Sequence, residues 1–318
     1  MEIRYKTVLA GAALALSFAG ATPATAEELT ITTSVPSLGF PFFVHMMKEL
    51  EAEAEALGEI ETIQSDGQNS TVKQTADVET AIVQGVDGIV ISPIEVDAMA
   101  PALQQAVDSG IPVVTIDRRV EGVPGILAHI GADNVAGGEA QGQFIMDKFP
   151  DGATIVNLQG QPGASPAIDR NAGVHNVLDE ASDMYTFVAE QTAFFARDKG
   201  LTVTESVLAG LDSPPDVIVA ANDDMALGAL EAVTAMGLQD QITIIGFDAL
   251  PEALASVRDG GLAGTIEQFP GGQSRRAMQV MADYLRTGAV PMEKVMLLIP
   301  IVIDSGNIDQ AERLGELN

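Results

Sequence analysis

The sequence predicts an α/β fold built as two doubly wound parallel-sheet halves, and three observations carry that prediction. Short, wholly apolar runs recur along the chain, as strands buried on both faces require. Stretches with apolar residues at helical spacing alternate with them, which is the order of parallel α/β layers. Four of the runs (113–116, 217–221, 242–247 and 263–266) stop at Asp117 and Arg118, at Asn222 and Asp223, at Asp248, and at Glu267 and Gln268. In open α/β sheets ligands sit beyond the carboxyl ends of the strands, so these polar residues mark a binding cleft.

Taken in order, residues 29–35 read as the first strand. Phe43, Met47, Leu50, Ala54 and Leu57 then recur at helical spacing up to Gly58. A strand over 60–64 follows, then a helix over 70–84 closed by Gly85, and a strand over 88–92 stopped by Pro93. A helix over 96–109 closed by Gly110 leads into the strand 113–116. The second series begins near 154–158. It continues through a helix around 167–178, a strand at 186–189, a helix around 201–209, a strand at 217–221, a helix over 225–236 and a strand at 242–247. After Gln268 come one more helix, about 272–285, and an apolar strand near 295–303.

The first residues point to export. Arg4 and Lys6 precede an apolar stretch from Val8 to Gly20, Pro23 breaks any helix, and Ala24 and Ala26 supply small residues at cleavage spacing. The expectation is a signal peptide over 1–26 and a mature chain that starts at Glu27 in the periplasm. The apolar stretch is shorter than the roughly 20 residues needed to cross a bilayer. An exported chain of 318 residues without cysteine has no disulfide framework, so its stability rests on ordinary cores. The formal charge is −29, and it is spread along the chain rather than gathered in a tail. That balance argues against nucleic acid and anionic membrane as partners and reads most simply as a solvated surface.

The residue types at the strand ends suit a small hydroxylated ligand. Ionised carboxylates accept hydrogen bonds, guanidinium donates in a planar fork, and amides do both. The chain has no Trp and three Tyr, so any ring that stacks on a sugar face must be Phe.

Seven motifs occur in the order found in periplasmic sugar-binding proteins of the ribose-binding type, the solute receptors of ABC importers, and the chain resembles that family from Thr30 to about Ile303. They are Pro41-Phe42-Phe43-Val44, Ile116-Asp117-Arg118, Ala132-Asp133-Asn134, Leu158-Gln159-Gly160, the stretch from Ala221-Asn222-Asp223-Asp224 to Gly228, Gly246-Phe247-Asp248, and Thr265-Ile266-Glu267-Gln268. The resemblance implies two lobes joined by three hinge crossings, with the ligand cleft between them. The N-terminal lobe would be 27–131 plus 269–298 and the C-terminal lobe 132–268 plus 299–318. It also implies a monosaccharide or sugar alcohol as ligand, an ABC transporter permease as partner, a monomer, no cofactor and no metal. The family's sugar-contacting positions fall on Phe42, Phe43, Asp117, Arg118, Arg170, Phe195, Asn222, Asp248 and Gln268.

Several of these residues have a plainer explanation. Phe43 lies on the apolar stripe of its helix, whereas Phe42 is turned off it and is the better ligand candidate. Phe194 and Phe195 are adjacent, so one of them packs elsewhere. Asn222 or Asp223 could cap the helix that follows. Arg170 by itself reads as a surface helix residue. His45, His129 and His175 are scattered and read as structural. The chain departs from the family's pattern at Phe40, where the ribose-binding type has Asn. An apolar ring in place of an amide disfavours ribose and favours a deoxy sugar or polyol, which adds Phe40 to the ligand-binding set.

Other classes fit less well. No Gly-x-Ser-x-Gly elbow, phosphate-binding glycine loop, cysteine nucleophile or metal-ligand motif appears, so the chain does not read as an enzyme. Asp117 and Asp248 as the carboxylate pair of a glycosidase is the nearest enzymatic alternative. A LacI-type effector domain would need a DNA-binding segment where the export signal stands. Presentation of the bound ligand to a chemoreceptor or sensor kinase is an alternative output.

Overall fold

The computed structural model describes residues 28–316, so the predicted signal peptide lies outside the described residues. In chain order the first lobe contains β1 (Leu29–Val35), α1 (Pro41–Leu57), β2 (Ile60–Asp66), α2 (Thr71–Gln84), β3 (Gly88–Ile91), α3 (Ala100–Asp108), β4 (Val113–Ile116) and β5 (Ala128–Ala132). The second contains α4 (Asn134–Lys148), β6 (Ala153–Gln159), α5 (Ser165–Leu178), β7 (Tyr185–Thr192), α6 (Arg197–Gly210), β8 (Val217–Ala220), α7 (Asp223–Ala235), β9 (Thr243–Ile245), α8 (Pro251–Asp259) and β10 (Thr265–Glu267). Then come α9 (Pro270–Thr287), β11 (Val295–Leu298) and β12 (Ile301–Ile303).

The strands form a six-stranded sheet in the order β11-β5-β4-β3-β1-β2 and a four-stranded sheet in the order β7-β6-β8-β9, both parallel throughout. A short antiparallel pair, β10 with β12, forms a third sheet whose β10 runs beside the end of β9 through a parallel bridge from Ile245 to Gly264. The chain passes between the two α/β layers three times: after β5, after β10 and after β11. Strands β3, β4 and β8 are buried at every residue, which explains their unbroken apolar character. Helix α9 returns after the second sheet to pack on α1 and on the first sheet.

Four expectations need correction. The apolar run 295–303 is not one strand. It divides at Ile299 and Pro300, and its halves pair in different sheets, because Pro300 has no N–H to continue a ladder. The helix expected from 96 begins at Ala100, and residues 94–99 turn into it. Strand β5 and helix α4 fill the gap left before 154. Helix α8, also absent from the sequence reading, is present and buries Ala253, Leu254 and Val257. Helix α4 carries Gly137, Gly138 and Gly142, a composition that argues against a helix. Packing overrides it: a Cβ on Gly138 would stand 2.2 Å from the Arg170 carbonyl oxygen, so glycine there lets α4 lie directly on α5.

Candidate functional site

Strand ends and helix starts from both lobes converge on one cavity. Its wall is formed by Phe40, Phe42, Phe43, Asp117, Arg118, Pro166, Arg170, Phe195, Asn222, Asp224, Asp248 and Gln268. All ten residues singled out from the sequence therefore meet in one place. Pro166 and Asp224 join them without a sequence argument.

The first lobe supplies an aromatic floor and one charged pair. Phe40 is the residue before α1 and makes no side-chain cap, so its ring is free to face the cavity. Phe42 and Phe43 meet edge to face with ring centres 5.3 Å apart, and Phe40 lies 6.4 Å from Phe43 in the same geometry. Phe42 and Phe43 are both buried and both line the cavity, so the expected division of roles between them does not appear. Asp117 and Arg118 follow β4. The Asp117 carboxylate accepts from the Ser92 hydroxyl at 3.2 Å, and its Oδ2 lies 3.8 Å from Nε of Arg118. Arg118 donates from Nη1 to the Ile94 carbonyl at 2.9 Å, while its buried Nε has no hydrogen-bond partner. Its guanidinium is held between the rings of Phe43 and Phe195, 5.3 and 5.5 Å from their centres.

The second lobe supplies a connected polar network. Arg170 is fully internal and not a surface residue. It donates from Nε to Asn134 at 2.8 Å, and from Nη1 to the Ala221 carbonyl at 2.6 Å and to Asp248 at 3.2 Å. Its guanidinium lies 3.6 Å from the centre of the Phe247 ring. Asp248 also accepts from Gln268 at 2.6 Å, and the backbone carbonyl of Gln268 in turn accepts from the Gln273 side chain at 2.8 Å. Asn222 does cap α7, accepting from the Met225 N–H at 3.0 Å, and it donates to the Phe195 carbonyl at 3.1 Å. Capping and lining the cavity are thus compatible. Asp223 turns away to accept from Thr265 and from the Leu250 N–H. Of the two adjacent phenylalanines, Phe195 is 6 % exposed and lines the cavity, whereas Phe194 is 44 % exposed. Gly160 makes room for Phe195, since a Cβ there would meet the ring at 2.2 Å.

Backbone strain and shifted titration both occur at positions in the wall. Asp117, Phe195 and Asp248 all have positive φ (56°, 61° and 110°), a region non-glycine residues seldom occupy, and such strain gathers at ligand clamps. Burial raises the Asp117 carboxyl above the usual carboxylate range, with Arg118 and Arg170 pulling it back. Burial pushes Asp248 up to about 7, opposed chiefly by Arg170. Burial also lowers Arg118 to about 10 against the pull of Asp117. The three histidines lie outside the cavity wall. Among the described residues no group of three or more His, Asp or Glu could hold a metal ion, and no helix is long and apolar enough to cross a membrane.

Residues 31–289 match the periplasmic binding protein domain family. A ribose import binding protein of Bacillus subtilis is 42 % identical over 261 residues, which cover 81 % of this chain and 82 % of the relative. The myo-inositol binding protein of Caulobacter, solved with myo-inositol bound, superposes with a TM-score of 0.87 at 41 % identity, covering 92 % of this chain and 98 % of that one. An ABC transporter solute binding protein from Bacillus halodurans, also with bound myo-inositol, superposes with a TM-score of 0.85 at 27 % identity and covers 90 % and 98 %.

Proposed function

Because the chain belongs to the periplasmic binding protein family, we propose that it takes up a cyclic polyol of the myo-inositol kind between its lobes and delivers it to an ABC permease. Membership makes it a binding protein for sugars or polyols in ABC import and not an enzyme.

The observation that carries the ligand reading is Phe40 in the cavity wall. A ring cannot pair with a hydroxyl set against it, and burying that hydroxyl unpaired costs about 1–3 kcal/mol. Phe42, Phe43 and Phe195 flank the ligand's C–H faces, and Asp117, Arg118, Arg170, Asn222, Asp248 and Gln268 take the hydroxyl rim. Closure of the lobes about the three crossings then completes a site that neither lobe holds alone. The 42 % identity to a ribose import binding protein supports ribose as the second reading.

A thermal-shift panel of aldoses, ketoses, inositols, linear polyols and sugar acids separates these, because a ligand that binds only the folded state raises the melting temperature. The expected result is the largest rise with myo-inositol. A largest rise with ribose establishes the second reading, and no rise with any sugar or polyol overturns both.

Export is part of the reading. The mature protein begins at Glu27, is periplasmic and acts as a monomer, with presentation to a chemoreceptor as the alternative output of the closed form. N-terminal sequencing of the periplasmic protein checks the start, and an intact Met1 overturns it.

A further inference from the structure

Asp224 stands in the cavity wall beside Asn222, in the first turn of α7, and is 5 % exposed. One of its oxygens, Oδ1, accepts from Nη2 of Arg197 at 3.3 Å. Arg197 is held more closely by Glu252, with Nη1 and Nη2 each 2.7 Å from that carboxylate. Among the described residues no other hydrogen bond reaches the Asp224 carboxylate, so its second oxygen is available to an O–H donor in the cavity. The wall now holds three carboxylates, Asp117, Asp224 and Asp248, against two guanidinium groups, Arg118 and Arg170. Arg197 is absent from the wall and already shared with Glu252. Such a cavity has more acceptor capacity than donor capacity, which a ring of hydroxyls satisfies. A ligand carboxylate would add negative charge to a buried wall in which carboxyl groups already outnumber guanidinium groups, where like charges repel with little screening.

We propose that Asp224 is a specificity residue: its free oxygen accepts a hydroxyl of a neutral polyhydroxylated ligand, and its charge turns away sugar acids. This rests on the polyol-binding reading above. The plainer role for an acidic residue in a first helical turn is to complement the helix dipole and anchor Arg197.

The test is calorimetry of the mature full chain with the tightest neutral ligand of the panel and with glucuronate as the anionic probe. Asp224→Asn should weaken the neutral ligand about tenfold, the loss of one charge-assisted hydrogen bond, while glucuronate binds no worse than before. Arg197→Gln removes the anchor and keeps the carboxylate, so it should leave the ratio of the two affinities unchanged. An Asp224→Asn variant that weakens both ligands equally or neither, an Arg197→Gln variant that reproduces the change in ratio, or a wild type that prefers glucuronate overturns the proposal. Asp224→Ser serves in the same comparison if the asparagine variant does not fold. A wild type that binds no sugar or polyol overturns the underlying reading, which is a different result from a wild type that binds and is indifferent to Asp224→Asn.

Discussion

On the first-lobe side of the cavity Asp117 accepts one side-chain hydrogen bond, from Ser92, and Arg118 donates one, to the Ile94 carbonyl. On the second-lobe side Arg170 alone donates three, and its partner Asp248 is tied through Gln268 to Gln273. Both sides are equally dry: Asp117, Arg118, Arg170 and Asp248 are all 3–4 % exposed. Burial is therefore not what separates them. The second lobe presents a network already satisfied by the protein, which orients groups before ligand arrives. The first lobe presents groups with hydrogen-bonding capacity to spare, including the unpartnered Nε of Arg118. The second-lobe network should act on stability as well as binding, and the first-lobe pair mainly on binding.

The largest expected effect tests that division directly. Arg170→Ala leaves the Asn134 side-chain carbonyl and the Ala221 carbonyl without this donor and Asp248 with Gln268 but no cationic partner, so the unliganded protein should lose about 3–4 kcal/mol, much of which remains even if Asp248 takes a proton. Arg118→Ala should weaken ligand binding by about 2–4 kcal/mol yet change the unliganded melting temperature little. Denaturant unfolding and calorimetry on both variants read the two quantities. Equal destabilisation of the unliganded protein by the two substitutions would break the comparison.

A smaller effect comes with pH. Folded Asp248 keeps its proton up to about 7, whereas an unfolded aspartate releases it near 3.8. Between those values the folded state binds more protons than the unfolded one, so Asp248 contributes stability that is fully present below about 4 and is lost as pH rises through 7. Glu267, raised to about 7 by burial, acts in the same direction. Each of the two groups should contribute a loss of roughly 2 kcal/mol between pH 5 and 7.5. Asp248→Asn should remove its share of that slope. A slope unchanged in this variant would place the titrating proton elsewhere and weaken the picture of a network assembled around Asp248.

The same contrast governs what is legible in sequence. The strand ends stand out because buried parallel strands are unbroken apolar runs, and the polar residue that follows each one is conspicuous for that reason. Arg170 is not conspicuous. It sits on a helix whose neighbours are mixed, and its burial depends on α4, which approaches only because Gly138 is small. The glycines that permit this contact also hide α4 from a propensity argument. Asp224 is hidden in another way, since an acidic residue opening a helix is expected on capping grounds alone. The division of 295–303 between two sheets is signalled only by Pro300, and tertiary pairing decides which sheet each half joins.

The smallest effect concerns Phe40, and it sharpens the account of the first lobe most. If that side recognises ligand by its spare hydrogen-bonding capacity, then a position where the capacity is missing should select against a hydroxyl. Phe40 packs edge-on to Phe43 and lines the cavity, so Asn in its place would offer both a donor and an acceptor at the same wall. Phe40→Asn should shift the affinity of ribose relative to myo-inositol by about 1–2 kcal/mol in favour of ribose, the cost of one unpaired hydroxyl relieved. Loss of the ring also removes part of the aromatic floor, so absolute affinity for both ligands should fall; the ratio is therefore the quantity to measure. Calorimetry with the two ligands on wild type and variant supplies it. An unchanged ratio would mean that Phe40 covers the start of α1 without reading the ligand, and that selectivity resides in the second lobe.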